Sequence, residues 1–197
     1  MLVSLPGNID IRSTNWDTRS FGELGKWLVN QRWQMLGHTP ELVELTLDLA
    51  AAMGFAREQL PQFHSGVILH DIGKMVIPDH ILLKSEELTA KEREIIQQHP
   101  GNAYRLLSQV LPDGISLDII HYHHEKWDGS GYPHGLAGDQ IPLAARVFTA
   151  VDVWNALSLE RPYRPAWPKV KIVRYFMEQR GRYFDPAVVE AFLGLVV

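Results

Sequence analysis

The sequence predicts an all-α fold. Apolar residues recur at helical spacing over most of the 197-residue chain, and the candidate helices open at capping or proline signals and close at glycine. No alternating apolar and polar runs recur at the spacing a sheet requires. Residues 1–19 are rich in Ser, Thr, Asn and Asp without periodicity and read as a flexible arm or linker, leaving residues 20–197 as one domain with a leading helix. Ser20 and Glu23 have capping-box spacing, and the helix they open carries Phe21, Leu24 and Leu28 on one face beside Trp27, Gln31 and Met35. That face packs within the domain or, as the alternative, meets a second copy or a sensor. Further helices are expected near 39–53, closed by Gly54, and near 58–72. Thr89 with Glu92 opens another near residue 90, followed by helices near 102–110 and 115–124. Pro142 and Pro186, the latter directly after a capping Asp185, suit first helical turns, and a helix near 167–180 closes at Gly181. Short β-branched runs such as Val76-Ile77 are where a local strand pairing is conceivable.

Composition narrows the function. A content of 46% hydrophobic residues fills one core, and a net charge of −4 offers no global attraction to DNA or to an anionic membrane. An anionic ligand must therefore be held by a local patch or by metal. The N-terminal residues show neither a basic region followed by an apolar core nor a membrane-spanning run, so the expectation is a cytoplasmic protein with no membrane insertion. Cysteine is absent, which leaves nitrogen and oxygen as the metal-ligand atoms.

Chemistry concentrates in three segments: HDIGKMVIPD at 70–79, HHEKWDGSGYP at 123–133, and Asp152 within ARVFTAVDVWNAL. Histidine with carboxylate suits iron, manganese, nickel or zinc, and an aspartate can bridge two ions. His123 and His124 are adjacent, and on a regular helix their side chains diverge by about 100°. They converge on one cluster near a helix end, for which Gly129 and Gly131 speak, or else face different ions. His64, His80, His121 and His134 read as ordinary solvated or hydrogen-bonded histidines.

Together with IPDHILLK, His99-Pro100, GLAGDQIPLAARV and RPYR at 161–164, these segments resemble the HD-GYP family of metal-dependent phosphodiesterases that open cyclic di-GMP. The resemblance covers roughly residues 30–197 and implies an HD-domain helical bundle with an HD-GYP extension. It maps metal-ligand roles onto His38, His70, Asp71, His99, His123, His124 and Asp152. One ion would lie among His38, His70, Asp71 and Asp152, with Asp71 bridging to a second among His99, His123 and His124. The implied cofactors are two divalent transition-metal ions, iron or manganese first, nickel or zinc next. Lys74 is cast as the group that stabilises or protonates the leaving oxygen, and Gly131, Tyr132, Arg161 and Arg164 as nucleotide contacts. Implied partners are cyclic di-GMP and either a second copy or a sensor or diguanylate cyclase.

Three departures stand out. Gln34 occupies the place of a glutamate that the three-metal form of the family carries, which favours two ions and a product that stops mostly at pGpG, with only slow conversion to GMP. Ala103 stands for a usual glycine, with a local packing effect expected, and Asn155 for a frequent aspartate. Two alternatives to the phosphodiesterase remain: a weakly active or inactive cyclic-dinucleotide sensor signalling through a partner, and a general HD phosphohydrolase of mononucleotides, against which HHEKWDGSGYP and RPYR argue.

Overall fold

Proline at position 40 suits a first turn, and helix α1 (Pro40–Ala52) starts on it and stops before Gly54. In the computed structural model, residues 40–160 and 164–197 are described. The arm at 1–19, the leading helix with its Ser20–Glu23 cap, Gln34, His38 and Arg161 lie outside them. Helix α2 (Leu60–Leu69) has Pro61 in its first turn and is followed by a 3-10 turn (Ile72–Val76) and the short α3 (Asp79–Leu82). Helix α4 (Ala90–Gln97) opens on the expected capping box: the Glu92 amide donates to Thr89 Oγ1 at 3.3 Å and the Glu92 carboxylate accepts from the Thr89 amide at 2.8 Å. Lys84 also pairs with Glu92 at 2.7 Å, and its hydrogen bond, with those from Thr89, draws the Glu92 carboxyl down to about 2.

Helices α5 (His99–Leu107) and α6 (Ile115–Tyr122) follow, then the long α7 (Leu143–Ser158), α8 (Lys169–Glu178) and α9 (Pro186–Val196). Asp185 caps α9 by accepting from the Ala187 amide at 2.7 Å. Helices α1, α2, α6, α7, α8 and α9 enclose the main core, in which Phe63, Phe148, Phe176 and Phe192 are fully buried. Burying each phenyl contributes about 1.5–3 kcal/mol. A second apolar cluster, including Ile72, Met75, Leu106 and Ile120, ties the 3-10 turn to α5 and α6.

Three boundaries differ from expectation. The helix expected over 58–72 stops at Leu69, because the following turn is drawn against α5. The helix expected at 102–110 begins at His99, since Pro100 costs nothing in a first turn. Pro142 is extended (ψ 135°) and immediately precedes α7 instead of entering its first turn. Ile77 is extended but unpaired; among the described residues only the isolated bridges Asp128–Ala137 and Arg180–Phe184 form.

Candidate metal centre

The site is assembled at helix ends. His70 is the residue that closes α2, and Asp71 breaks the helix with φ −95° and ψ 3°. Two residues on, Gly73 lies against α5 so closely that a Cβ there would sit 2.0 Å from the His99 carbonyl oxygen and 2.7 Å from the Ala103 nitrogen. This contact brings Asp71 beside His99. Ala103 is itself fully buried in that crossing, so the departure from glycine is accommodated by packing. Helix α6 ends at Tyr122, and His123 and His124 follow at its end with ring centroids 4.1 Å apart. Beyond the last helical residue both can face one cluster.

Ligand atoms of Asp71, His99, His123 and His124 all lie within 4.8 Å of one another. Asp71 Oδ1 is 3.2 Å from His99 Nε2 and 4.0 Å from His123 Nε2, and the two imidazole Nε2 atoms are 3.3 Å apart. His70 Nε2 approaches the other carboxylate oxygen at 3.4 Å, its ring edge-on to Phe148 with centroids 4.7 Å apart. Asp71, His70, His99 and His123 are buried.

Hydrogen bonds assign the tautomers. Nδ1 of His70 faces the Val67 carbonyl at 2.8 Å, that of His99 the Ile96 carbonyl at 2.8 Å, and that of His123 the Ile119 carbonyl at 3.0 Å. A carbonyl only accepts, so a neutral ring carries its proton on Nδ1 and turns an Nε2 lone pair toward Asp71. Asp71 Oδ1, buried, has no hydrogen-bond donor. Lone pairs facing a carboxylate repel one another unless a cation or proton lies between them, and this donor set suits a divalent transition metal. Burial opposes charging Asp71, but Lys74 and His70 hold its carboxyl well below the usual range. Burial, then the neighbouring histidines, pushes His123 and His124 far down. For His70 burial is outweighed by Asp71 and Asp152, which raise it.

The loop after His124 is fixed by its own backbone. Glu125 is 2% exposed, and its carboxylate accepts from the amides of His134 at 2.7 Å and Leu136 at 3.1 Å. The Tyr132 amide donates to the His124 carbonyl at 3.1 Å, and a Cβ at Gly131 would lie 2.4 Å from the Lys126 nitrogen. Only glycine fits that approach. Tyr132 stacks on His124 with centroids 4.7 Å apart, and burial, then Tyr183, raises its hydroxyl. Outside the loop, Trp127 and Asp128 donate their amides to the Tyr183 and Arg182 carbonyls. Thr149 of α7 donates its hydroxyl to the His123 carbonyl at 2.9 Å.

Of the other expected site residues, Lys74 meets Asp71 Oδ2 at 2.5 Å. Asp152, half-buried on α7, lies near enough to His70, Tyr132 and Tyr183 to influence their protonation. Arg164 spends its guanidinium on the end of α7, donating to the Ala156 carbonyl at 2.5 Å, and lies over Trp167. His64 and His80 are exposed as expected, and His121 stacks on Tyr104 away from the cluster. Glu125, Thr149 and Tyr183 were given no role by sequence. For Glu125 the available signal was a carboxylate at a helix end just before a glycine-rich loop.

Residues 24–188 match a family model described as an HD domain. The chain belongs to the HD-domain family. This HD-domain chain is 42% identical over 147 residues to the cyclic di-GMP phosphodiesterase response regulator RpfG of Xanthomonas campestris, covering 74% of this chain and 39% of that protein. It is 38% identical over 160 residues to a cyclic di-GMP phosphodiesterase of Thermotoga maritima, covering 80% and 44%. Against the 3'3'-cGAMP-specific phosphodiesterase 2 of Vibrio cholerae it is 39% identical over 147 residues, covering 74% and 28%. The chain thus spans less than half the length of these relatives. Among solved structures, an HDG"Y"P protein from Bdellovibrio bacteriovorus superposes with a TM-score of 0.64 at 16% identity, covering 91% of this chain and 57% of that one. The all-α HD-domain fold and the HD-GYP resemblance are borne out. No helix among the described residues is long and apolar enough to cross a membrane.

Proposed function

We propose that this HD-domain protein is a metal-dependent phosphodiesterase that hydrolyses cyclic di-GMP to pGpG, lowering that bacterial second messenger in the cytoplasm. The observation that carries the reading is Asp71 Oδ1, buried without a hydrogen-bond partner and faced by the Nε2 atoms of His99 and His123. In this reading His99, His123, His124 and Asp71 would hold one ion, and His70, Asp152 and Asp71, with His38, would hold the other. Such ions, when bound, neutralise the diester, lower the pKa of the attacking water and relieve charge on the departing oxygen. Asp71 would serve both sets. Lys74 pairs with Asp71 Oδ2, the oxygen that His70 also faces, and is the proton source for the leaving oxygen. Tyr132, on the Gly131 turn, is a flat wall for the nucleotide; Arg161 grips it, and Arg164 braces the end of α7. The names of the Xanthomonas and Thermotoga relatives support the substrate.

The test is anaerobic purification with metal analysis, followed by chromatography of cyclic di-GMP and its products. Two iron or manganese ions per chain and accumulation of pGpG are expected; metal-loaded protein that binds the dinucleotide without turnover would favour the sensor reading instead. Lys74→Ala should keep its metal while turnover falls about 100-fold, the lower range for loss of a general acid, as measured by initial rates on matched metal-loaded samples. Glu125→Ala leaves two part-buried loop amides without their acceptor, which should cost about 1 kcal/mol and raise KM more than it lowers kcat, because the loop bearing Tyr132 loses its anchor. Thermal melts and steady-state kinetics check both parts.

A further inference from the structure

Beside the centre, on the side of α4 and α5, a cavity of about 530 Å³ opens. Tyr132, which stacks on His124, also lines it, so the cavity adjoins the candidate metal ligands directly. Its second aromatic wall is Tyr104, backed by His121 with ring centroids 4.2 Å apart and 17° between planes. The polar lining includes Glu94 and Gln97 on α4 and Arg105 on α5. Among the described residues no ion pair or side-chain hydrogen bond engages Glu94 or Gln97, while the Arg105 guanidinium is steadied by Asn102 Oδ1 at 2.6 Å. The Thr89–Glu92 cap sets the start of α4 and therefore the position of Glu94 one half-turn later.

A cavity of this size, with two rings and a few convergent polar groups, has the character of a small-ligand site. The polarity of those groups selects the base. A carboxylate only accepts, and the Watson–Crick edge of guanine presents two adjacent donors, N1–H and the N2 amino group. Arginine only donates, and guanine presents O6 and N7 as acceptors. Adenine reverses both at the discriminating positions, setting its N1 lone pair against the carboxylate and its N6 amino group against the guanidinium. We propose that this cavity is a guanine-reading subsite, with Glu94 accepting from N1–H and N2–H, Arg105 donating to O6 and N7, and Tyr104 and Tyr132 as the stacking walls. The proposal rests on the phosphodiesterase reading and adds to it a specificity determinant on α4 and α5.

Steady-state kinetics on cyclic di-GMP, 3'3'-cGAMP and cyclic di-AMP, with wild type, Glu94→Gln and Arg105→Ala, test it. Each variant should raise KM for cyclic di-GMP about tenfold or more, the size of one lost bidentate base contact. Metal content should be kept, kcat should change less than KM, and KM for cyclic di-AMP should not rise. An unchanged KM for cyclic di-GMP, or an equal rise for both homodinucleotides, overturns the subsite while leaving the phosphodiesterase standing. Wild-type protein that hydrolyses none of the three sinks the phosphodiesterase reading, and calorimetric affinity for cyclic di-GMP then decides the subsite. Tenfold weaker binding by Glu94→Gln supports it; equal binding overturns it.

Discussion

Asp71→Ala is expected to lose both metal and hydrolysis. Removing this carboxylate takes away the one anionic group that the Nε2 atoms of His99 and His123 face at 3.2 and 4.0 Å. It also strands Lys74, whose ammonium lies 2.5 Å from Asp71 Oδ2, beside the cluster. Outer partners of metal ligands already cost about 10–100-fold in affinity when removed; a ligand at the centre should cost at least about 100-fold, and turnover should fall to background. Elemental analysis and the product time course report both. A variant with two ions per chain and wild-type rates would end the assignment. Asp71→Asn separates charge from shape, since an amide fills the space but offsets no cation, and it should behave nearly as badly.

The second large effect lies on a residue that touches no ligand. Gly73→Ala places a methyl group 2.0 Å from the His99 carbonyl oxygen and 2.7 Å from the Ala103 nitrogen, both backbone atoms that cannot swing aside. The 3-10 turn must then part from α5, and with it Asp71 from His99. Overpacking of this kind costs about 3 kcal/mol, which for a chain of this size lowers Tm by roughly 6–12 °C, and metal affinity should fall with it. Gly194→Ala in α9 is the control: nothing lies within 4 Å of its new Cβ, and replacing this glycine of the last turn should leave stability equal or slightly higher. Melts and metal titrations of the pair separate a close contact from a general intolerance of alanine.

Helix starts were readable wherever a local signal governs them, as at Thr89–Glu92 and Asp185-Pro186, because a cap is satisfied by residues three positions apart or fewer. The meeting of His123 and His124 was also readable, since adjacency on a helix admits few ways to share a cluster. The stop at Leu69 was not: residues 70–76 keep an apolar, helix-compatible pattern, and what unwinds them is the approach of α5, distant in sequence. Arg164 shows a similar limit. An arginine near a phosphate motif reads as a ligand, yet its partner is decided by where α7 happens to end. Glu125 sat in the most conspicuous run of the chain without a role of its own, because its two amide partners lie 9 and 11 residues downstream.

The carbonyls that orient the three buried imidazoles belong to the final turns of their helices. Val67 lies in the last turn of α2, Ile96 in that of α4, and Ile119 in that of α6. A helix C-terminus carries roughly half an elementary negative charge, and three such termini are aimed at one small region. Cation attraction is thereby written partly into the backbone, where no side-chain substitution removes it. The converse is a standing mutual repulsion among those termini, relieved whenever positive charge enters, so ion binding draws on the scaffold as well as on the ligands and returns that energy as resistance to unfolding.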